Sequence, residues 1–509
     1  MAEAHRISRS SHSVAGRLAR LLLSVPLFAA LCSCGHPQKA DPTRPEDVSG
    51  FRVGPQHVAV SSSPNVVICV IDAARADHIG YHGYERETTP NLDRLAGESV
   101  VFEKHFAPYS QTKASTVSLL TGLYPDTHLT SGNHVMDGSL FTIEKGLAAA
   151  GFQTVLLSSN PVASPEMGVG ADFGQALSSP ETLRQGDGDA STMGSRDDTW
   201  KSPEVLTAAF SRWLDRNGQE PFFAYLHFLP PHLPYGAPTE IQELFSGREP
   251  PAVSQGGFPF REVAIRRRGQ EPPPLEEWVN LYDANLRWAD DAVGSVVEFL
   301  RERGLLDKTL LIVTSDHGEA FGEHGYMYHS RGVYDELVHV PFLMRLPDRR
   351  RTGRIPALTQ TVDILPTVCE LIGADYPRQQ IQGRSLVPLI DSEAETIRDY
   401  AYATCMGSHS HSSYLVRSLT HALILYRGGV LRALYDLTTD PMQRRNIIDD
   451  EPEQAARMAD EFRAFAASQR RAPLEFIDPK ARPSAASAPP TIELSEEQRR
   501  ELEALGYVD

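Results

Sequence analysis

The sequence predicts an α/β fold: a layered, mostly parallel central sheet with helices on its faces, followed by a smaller α+β subdomain towards the C-terminus. Three observations carry this. "NVVICVID" (Asn65 to Asp72), "PFFAYLHF" (Pro221 to Phe228) and "TLLIVTSDHG" (Thr309 to Gly318) contain continuous apolar runs, the pattern of parallel strands buried on both faces. Between them, "PEVLTAAFSRWLDR" and "LRWADDAVGSVVEFLRERG" space apolar residues at three and four, the second closing on Gly304 as a helix end does. From about Tyr376 the order changes to short strand-like segments, "HALILYRGG" and "LRALYDL". Strands alternating with helices imply right-handed crossovers, and the ends of such strands face a ligand crevice.

In chain order, Arg6, Arg9, Arg17 and Arg20 precede the apolar run Leu21 to Leu31, which meets "CSCG" and then a polar stretch. The run is shorter than the roughly 20 residues a spanning helix needs, so residues 1–34 read as a secretion signal. The stretch ending at Cys34 resembles a bacterial lipobox, with Cys34 the lipidated residue; the alternative is an ordinary cleaved signal with incidental cysteines. Lipidation would tether the protein to a bacterial membrane outside the cytoplasm, in the periplasm or on the outer membrane. Residues 35–63 read as a flexible tether, 64–375 as the main domain, 376–478 as the C-terminal subdomain and 479–509 as a linker with a closing helix. That helix, "SEEQRRELEALGYVD", has a capping-box start. The stretch from about Ala163 to Lys201 reads as a long loop or insertion.

The chain has 509 residues, 41% hydrophobic and 23% charged, with a net charge of −17. This is globular composition with an acidic balance that argues against nucleic-acid binding. Besides Cys34, the cysteines after the signal are Cys69, Cys369 and Cys405, which make neither a disulfide framework nor a zinc spacing.

Asp72, Asp316 and His317 lie just past two of the predicted strands. Hard and borderline ligands of this kind suit one divalent ion: Ca²⁺, Mg²⁺, Mn²⁺ or Zn²⁺. Singly, each also fits a cap or a turn.

Several blocks then carry a resemblance. "NVVICVIDAARADHIGYHGYERETTPNLDRLAGESVVFEKHFA" resembles the opening of the sulfatase family in the alkaline phosphatase superfamily. "PFFAYLHFLPPHLPY", "LLIVTSDHGEAFGEHGYMYHSRGVYDELVHVPFL" and "LYDLTTDPMQRRNIID" resemble its later blocks, in order. The resemblance implies an alkaline-phosphatase-like α/β/α sandwich and a metal-dependent hydrolase of sulfate or phosphate esters, with an anionic ester as substrate. In the family, a cysteine ten residues before the glycine of "LLTG" becomes formylglycine. Here that position is Thr112, with Ala114, Ser115 and Thr116 at the following motif positions.

The resemblance makes Thr112 both a metal ligand and the nucleophile, since a metal-bound hydroxyl is deprotonated more easily; the alternative is that Thr112 caps the helix that follows. It makes His232 the general acid and His329 an anion-facing residue. Lys113 either supplies positive charge to the substrate or is solvated. Three positions depart from the pattern: Ala73 stands for a second aspartate ligand, and Ser159 and Pro161 for a lysine and a histidine. "SHSHSS", from Ser408 to Ser413, reads as a surface loop or a reach into the pocket. The expected function has two alternatives: a phosphoryl-group transferase acting on a cell-envelope acceptor, or a catalytically inactive envelope binding protein.

Overall fold

The computed structural model describes residues 63–132, 134–184, 201–246, 274–329, 331–405, 412–469 and 491–504. Cys34, the signal and nearly all of the tether lie outside them, as do residues 408–411 of "SHSHSS" and residues 505–509. Among the described residues no helix is long and apolar enough to cross a membrane.

The three apolar runs are strands and sit side by side. β1 (Asn65–Ile71), β2 (Val100–Phe106), β3 (Gln153–Ser158), β4 (Gln175–Leu177), β5 (Phe222–Phe228), β6 (Thr309–Thr314), β7 (Ala320–Phe321), β8 (Met327–Tyr328), β9 (Phe342–Arg345) and β10 (Gly353–Gln360) follow in order along the chain. All but β7 and β8 form one eight-stranded sheet, ordered β10-β2-β9-β6-β1-β5-β3-β4. Its pairings are parallel except those of β9 with β2 and β6. β7 and β8 make a separate hairpin.

Burial on both faces explains the continuous runs. Successive β1 residues point to opposite sides. Val67, Cys69 and Ile71 join one core with Ala224, Leu226, Leu311 and Val313. Val66, Ile68 and Val70 join the other with Phe223, Tyr225, Leu310 and Ile312. The first core is covered by helices Pro203–Asn217 and Leu275–Glu302, the second by Thr112–Thr121, Ile143–Ala149 and Ile364–Ile372. The architecture is the α/β/α sandwich expected.

Two elements differ from expectation. Helix Leu275–Glu302 has 28 residues and starts 11 residues before the apolar pattern. Its early turns bury Asp283 and Asn285, which bond His78 (2.7 Å) and the Gly236 amide (3.0 Å), so polar residues interrupt the stripe. The loop from Ala163 contains the edge strand β4, paired parallel to β3; three residues are too few to show a period. Helix Leu275–Glu302 ends as the sequence indicates: Gly304 has φ +64° and Leu305 N–H bonds the Leu300 carbonyl at 2.8 Å.

The C-terminal part is antiparallel: β11 (Ala401–Cys405), β12 (Ser413–Arg417), β13 (His421–Tyr426) and β14 (Val430–Asp436) pair in that order. Helix Pro452–Ala467 covers one face through Met458 and Phe462. The closing helix, Glu496–Ala504, opens with the expected box: Ser495 and Gln498 exchange amide-to-side-chain bonds of 3.0 and 3.1 Å. Its Leu502 packs on Val162 and Met167.

Glu144, on the helix under the second core, is fully buried, and burial pushes its carboxyl up from 4.5 to about 7. The folded state therefore holds its proton longer than the unfolded chain. Its contribution to stability is complete below pH 4.5 and is lost as pH rises through about 7. Thermal midpoints measured across this window are expected to fall with pH in the wild type, by a free-energy equivalent of a few kcal/mol. Glu144→Gln is expected to flatten that part of the profile.

Candidate active site

Four neighbouring parallel strands, β6, β1, β5 and β3, end on the same side of the sheet and deliver the polar residues of the site. Asp72 follows β1, the Ser315-Asp316-His317 turn follows β6, His227 is the penultimate residue of β5, and Asn160 lies two residues past β3. Asp72, Asp316 and His317 are buried, and one ligand atom from each lies within 4.8 Å of the others.

Each carboxylate has one oxygen held and one oxygen offered. Asp316 Oδ1 accepts from the amides of Ala73 (3.2 Å) and His317 (3.0 Å). Asp72 Oδ2 accepts from Asn160 Nδ2 and lies 3.2 Å from His227 Nε2. The remaining oxygens, Asp72 Oδ1 and Asp316 Oδ2, are buried without a hydrogen-bond partner among the described residues. They lie 3.5 and 3.6 Å from His317 Nε2. His317 Nδ1 donates to the Gly318 carbonyl at 2.8 Å, which fixes the tautomer with its lone pair on Nε2. Two buried anionic oxygens this close are costly without a compensating cation. The donor set therefore fits one divalent metal ion, held by Asp72, Asp316 and His317.

Thr112 joins this cluster. It is the first residue of helix Thr112–Thr121, and its Oγ1 lies 3.1 Å from His317 Nε2. The cap position belongs to Gln111, so the reading of Thr112 as the cap is corrected. Ser115 Oγ, one turn on, donates to the Asp316 carbonyl at 2.5 Å and locks the helix to the metal-side turn.

The chain between Asp72 and the next element is held in an uncommon shape. Ala73 has φ +60°, which costs a non-glycine residue about 1–2 kcal/mol. Tyr282 offsets this: its hydroxyl donates to the Ala73 carbonyl (2.8 Å) and accepts from the Arg75 amide (2.9 Å). The Ala74 amide donates to Ser315 Oγ at 2.9 Å. The position of the missing second aspartate thus uses its backbone N–H to hold Asp316.

Two more imidazoles gather beside the cluster. The His329 ring stacks on His317 at 4.4 Å between centroids and lies 4.8 Å from His232. His232 Nδ1 donates to the Leu233 carbonyl (2.5 Å), and His329 Nδ1 pairs with Glu319 Oε1 (3.2 Å). Burial drives the Asp72 carboxyl upward, but His232, His227 and His317 outweigh it and hold Asp72 below the usual carboxylate range. Burial lowers His317, and Asp316 and Asp72 reverse this to a net rise. Glu319 is pushed by burial to about 7, against the pull of His232 and His317. Lys113 is not solvated: it is buried, its Nζ donates to the Gly132 carbonyl at 3.0 Å, and burial lowers it to about 8.

Sequence reading missed His227, Asn160, Tyr282 and Glu319. Of these, Glu319 carried a signal, since it completes "SDHGE". Ser159 is buried, with its Oγ accepting from the Leu229 amide at 2.9 Å. Ser412 and Ser413 of "SHSHSS" are buried where β12 begins.

Comparison with known proteins agrees with the geometry. The model of the family described as Sulfatase matches residues 64–374, and that described as N-sulphoglucosamine sulphohydrolase, C-terminal, matches residues 322–467. An arylsulfatase of Clostridium perfringens is 24% identical over 445 residues, covering 76% of this chain and 91% of its own. The multifunctional alkaline phosphatase superfamily protein PehA of Trinickia caryophylli is 26% identical, covering 64% of this chain and 77% of its own. Among solved structures, the phosphonate monoester hydrolase of Agrobacterium radiobacter shares the fold, with a TM-score of 0.62 at 22% identity, covering 79% of this chain and 95% of its own. The chain belongs to the sulfatase family of the alkaline phosphatase superfamily, and is a hydrolase acting on sulfate or phosphate esters.

Proposed function

We propose that this chain hydrolyses phosphate mono- or diesters with Thr112 as its nucleophile and one divalent metal ion as cofactor. The observation that carries the proposal is the placement of Thr112 Oγ1, 3.1 Å from His317 Nε2, the same atom that lies 3.5 and 3.6 Å from the offered oxygens of Asp72 and Asp316. Asp72, Asp316, His317 and Thr112 would hold the metal, which when bound acidifies the hydroxyl and offsets charge on the ester.

The chain's own groups supply the rest. Thr112 attacks phosphorus and forms a threonyl ester, which water then cleaves. The attack takes place at the amino end of helix Thr112–Thr121, where the first-turn backbone N–H groups and the helix dipole favour a transferring anion. His232, tethered through Nδ1 to the Leu233 carbonyl, directs Nε2 at the leaving oxygen and delivers a proton to it. His329, paired with Glu319, faces the anionic group. A threonine cannot carry the hydrated aldehyde on which sulfate-ester cleavage in the family relies, which favours phosphate over sulfate esters. Phosphoryl transfer to an envelope acceptor shares the threonyl ester and differs in the group that releases it.

The test is an assay of aryl sulfate, aryl phosphate and phosphodiester substrates with defined divalent metals. Turnover of a phosphate ester is expected, with Thr112→Ala and Asp316→Asn each lowering kcat by about 10³-fold or more. Activity surviving Thr112→Ala, or preference for the aryl sulfate, would overturn the threonine mechanism.

Chelation followed by gel filtration is expected to abolish turnover, and added divalent metal to restore it. Turnover unchanged by chelation would remove the metal from the proposal. No bound metal together with no turnover of any of these substrates would favour the binding-protein reading instead.

A further inference from the structure

Asp72 offers Oδ1 only because something holds Oδ2. The residues that do so lie on β5 and past β3. His227 Nε2 is 3.2 Å from Asp72 Oδ2 and 3.8 Å from Asp316 Oδ2, and its Nδ1 is 3.1 Å from the Tyr225 hydroxyl, two residues back on the same strand. Tyr225 and His227 are both fully buried. A phenol is protonated at neutral pH and can donate. If Nδ1 carried the imidazole proton, Nε2 would turn a lone pair on the carboxylate oxygen. If Nδ1 accepts from Tyr225, Nε2–H points at Asp72. Only the second arrangement satisfies both contacts of a neutral ring.

The Asn160 amide is oriented in the same way. Its Oδ1 accepts from the Val162 amide at 2.8 Å, so its Nδ2 must be the end that faces Asp72. Val162 in turn is covered by Leu502 of the closing helix. Two donors of fixed polarity therefore converge on one oxygen of Asp72.

We propose that Tyr225 and His227 are positioning residues of the site: the Tyr225 hydroxyl sets the His227 tautomer, and His227 with Asn160 holds Asp72 Oδ2 so that Oδ1 is presented to the cation. The inference rests on the reading of Asp72 as a metal ligand. It assigns to β5 a role in metal capture in addition to its place in the core. No atom of Tyr225 or His227 touches substrate in this scheme, so the effect acts through Asp72.

The test titrates the metal-free protein with Mn²⁺ and separately with Ca²⁺ by calorimetry, alongside thermal melting without metal and steady-state kinetics at saturating metal. Tyr225→Phe and His227→Ala are each expected to weaken binding of the preferred metal by about 10- to 100-fold. His227→Gln, which keeps a donor near the Nε2 position, is expected to recover most of that loss. KM at saturating metal is expected to stay near wild type. Wild-type metal affinity in both Tyr225→Phe and His227→Ala, with Asp72→Asn losing binding, overturns the relay while leaving the metal site standing. Equal binding by wild type and Asp72→Asn, or no binding by wild type, overturns the metal reading and the relay with it. Tyr225→Phe removes one hydroxyl from the core, so it reports on the relay even if His227→Ala folds poorly.

Discussion

Two buried carboxylates, at the ends of the adjacent strands β1 and β6, set the terms for everything around them. Asp72 and Asp316 have been taken out of water to within a few ångströms of each other, and like charges in such a place repel. The surroundings answer with donors: the amides of Ala73 and His317 on one carboxylate, Asn160 and His227 on the other. His317 stands between them. The left-handed Ala73, the Tyr282 bridge and the Ser115 tie to the Asp316 carbonyl all serve to keep these two groups together. The sheet is the scaffold of that arrangement, and the α/β/α layering is what keeps it dry.

The legible part of the fold was the part with the least freedom. β6, β1 and β5 are central and buried on both faces, so no position in them tolerates alternation, and each reads as an unbroken apolar run. Edge and short elements leave no such trace: β4 has three residues and β9 four. In the site, Asp72, Asp316 and His317 were legible because a charged residue right after a buried strand is conspicuous. His227 was hidden by the run that contains it, where a lone polar residue reads as core. Asn160 was hidden by its loop neighbours, and Tyr282 by the helix that carries it, since its role is to bond the backbone of a distant turn. Contacts with sequence separations of 155, 88 and 209 leave no local pattern.

The departures from the family pattern also acquire a physical reading. Where a second aspartate is expected, Ala73 contributes only its amide, and that amide lands on Asp316. Beyond β3, the side chain that reaches the cluster is Asn160, a neutral donor, in place of cationic neighbours. The site has exchanged positive side chains for neutral hydrogen-bond donors and imidazoles.

One consequence concerns how the chain reaches this state during synthesis. β9 lies between β2 and β6 and is the strand that joins the β10-β2 edge to the rest of the sheet. Until residues 342–345 have emerged, β2 has no hydrogen-bonded route to β6, although it was made more than 200 residues earlier. A nascent chain must therefore carry Val100–Phe106 with unpaired edges while most of the domain is being translated, the condition under which strands pair wrongly or aggregate. Closure of the sheet by a short, late, antiparallel strand makes the sandwich a structure that completes itself only near its end. The stretch most in need of protection on the ribosome is then β2, which ends six residues before Thr112.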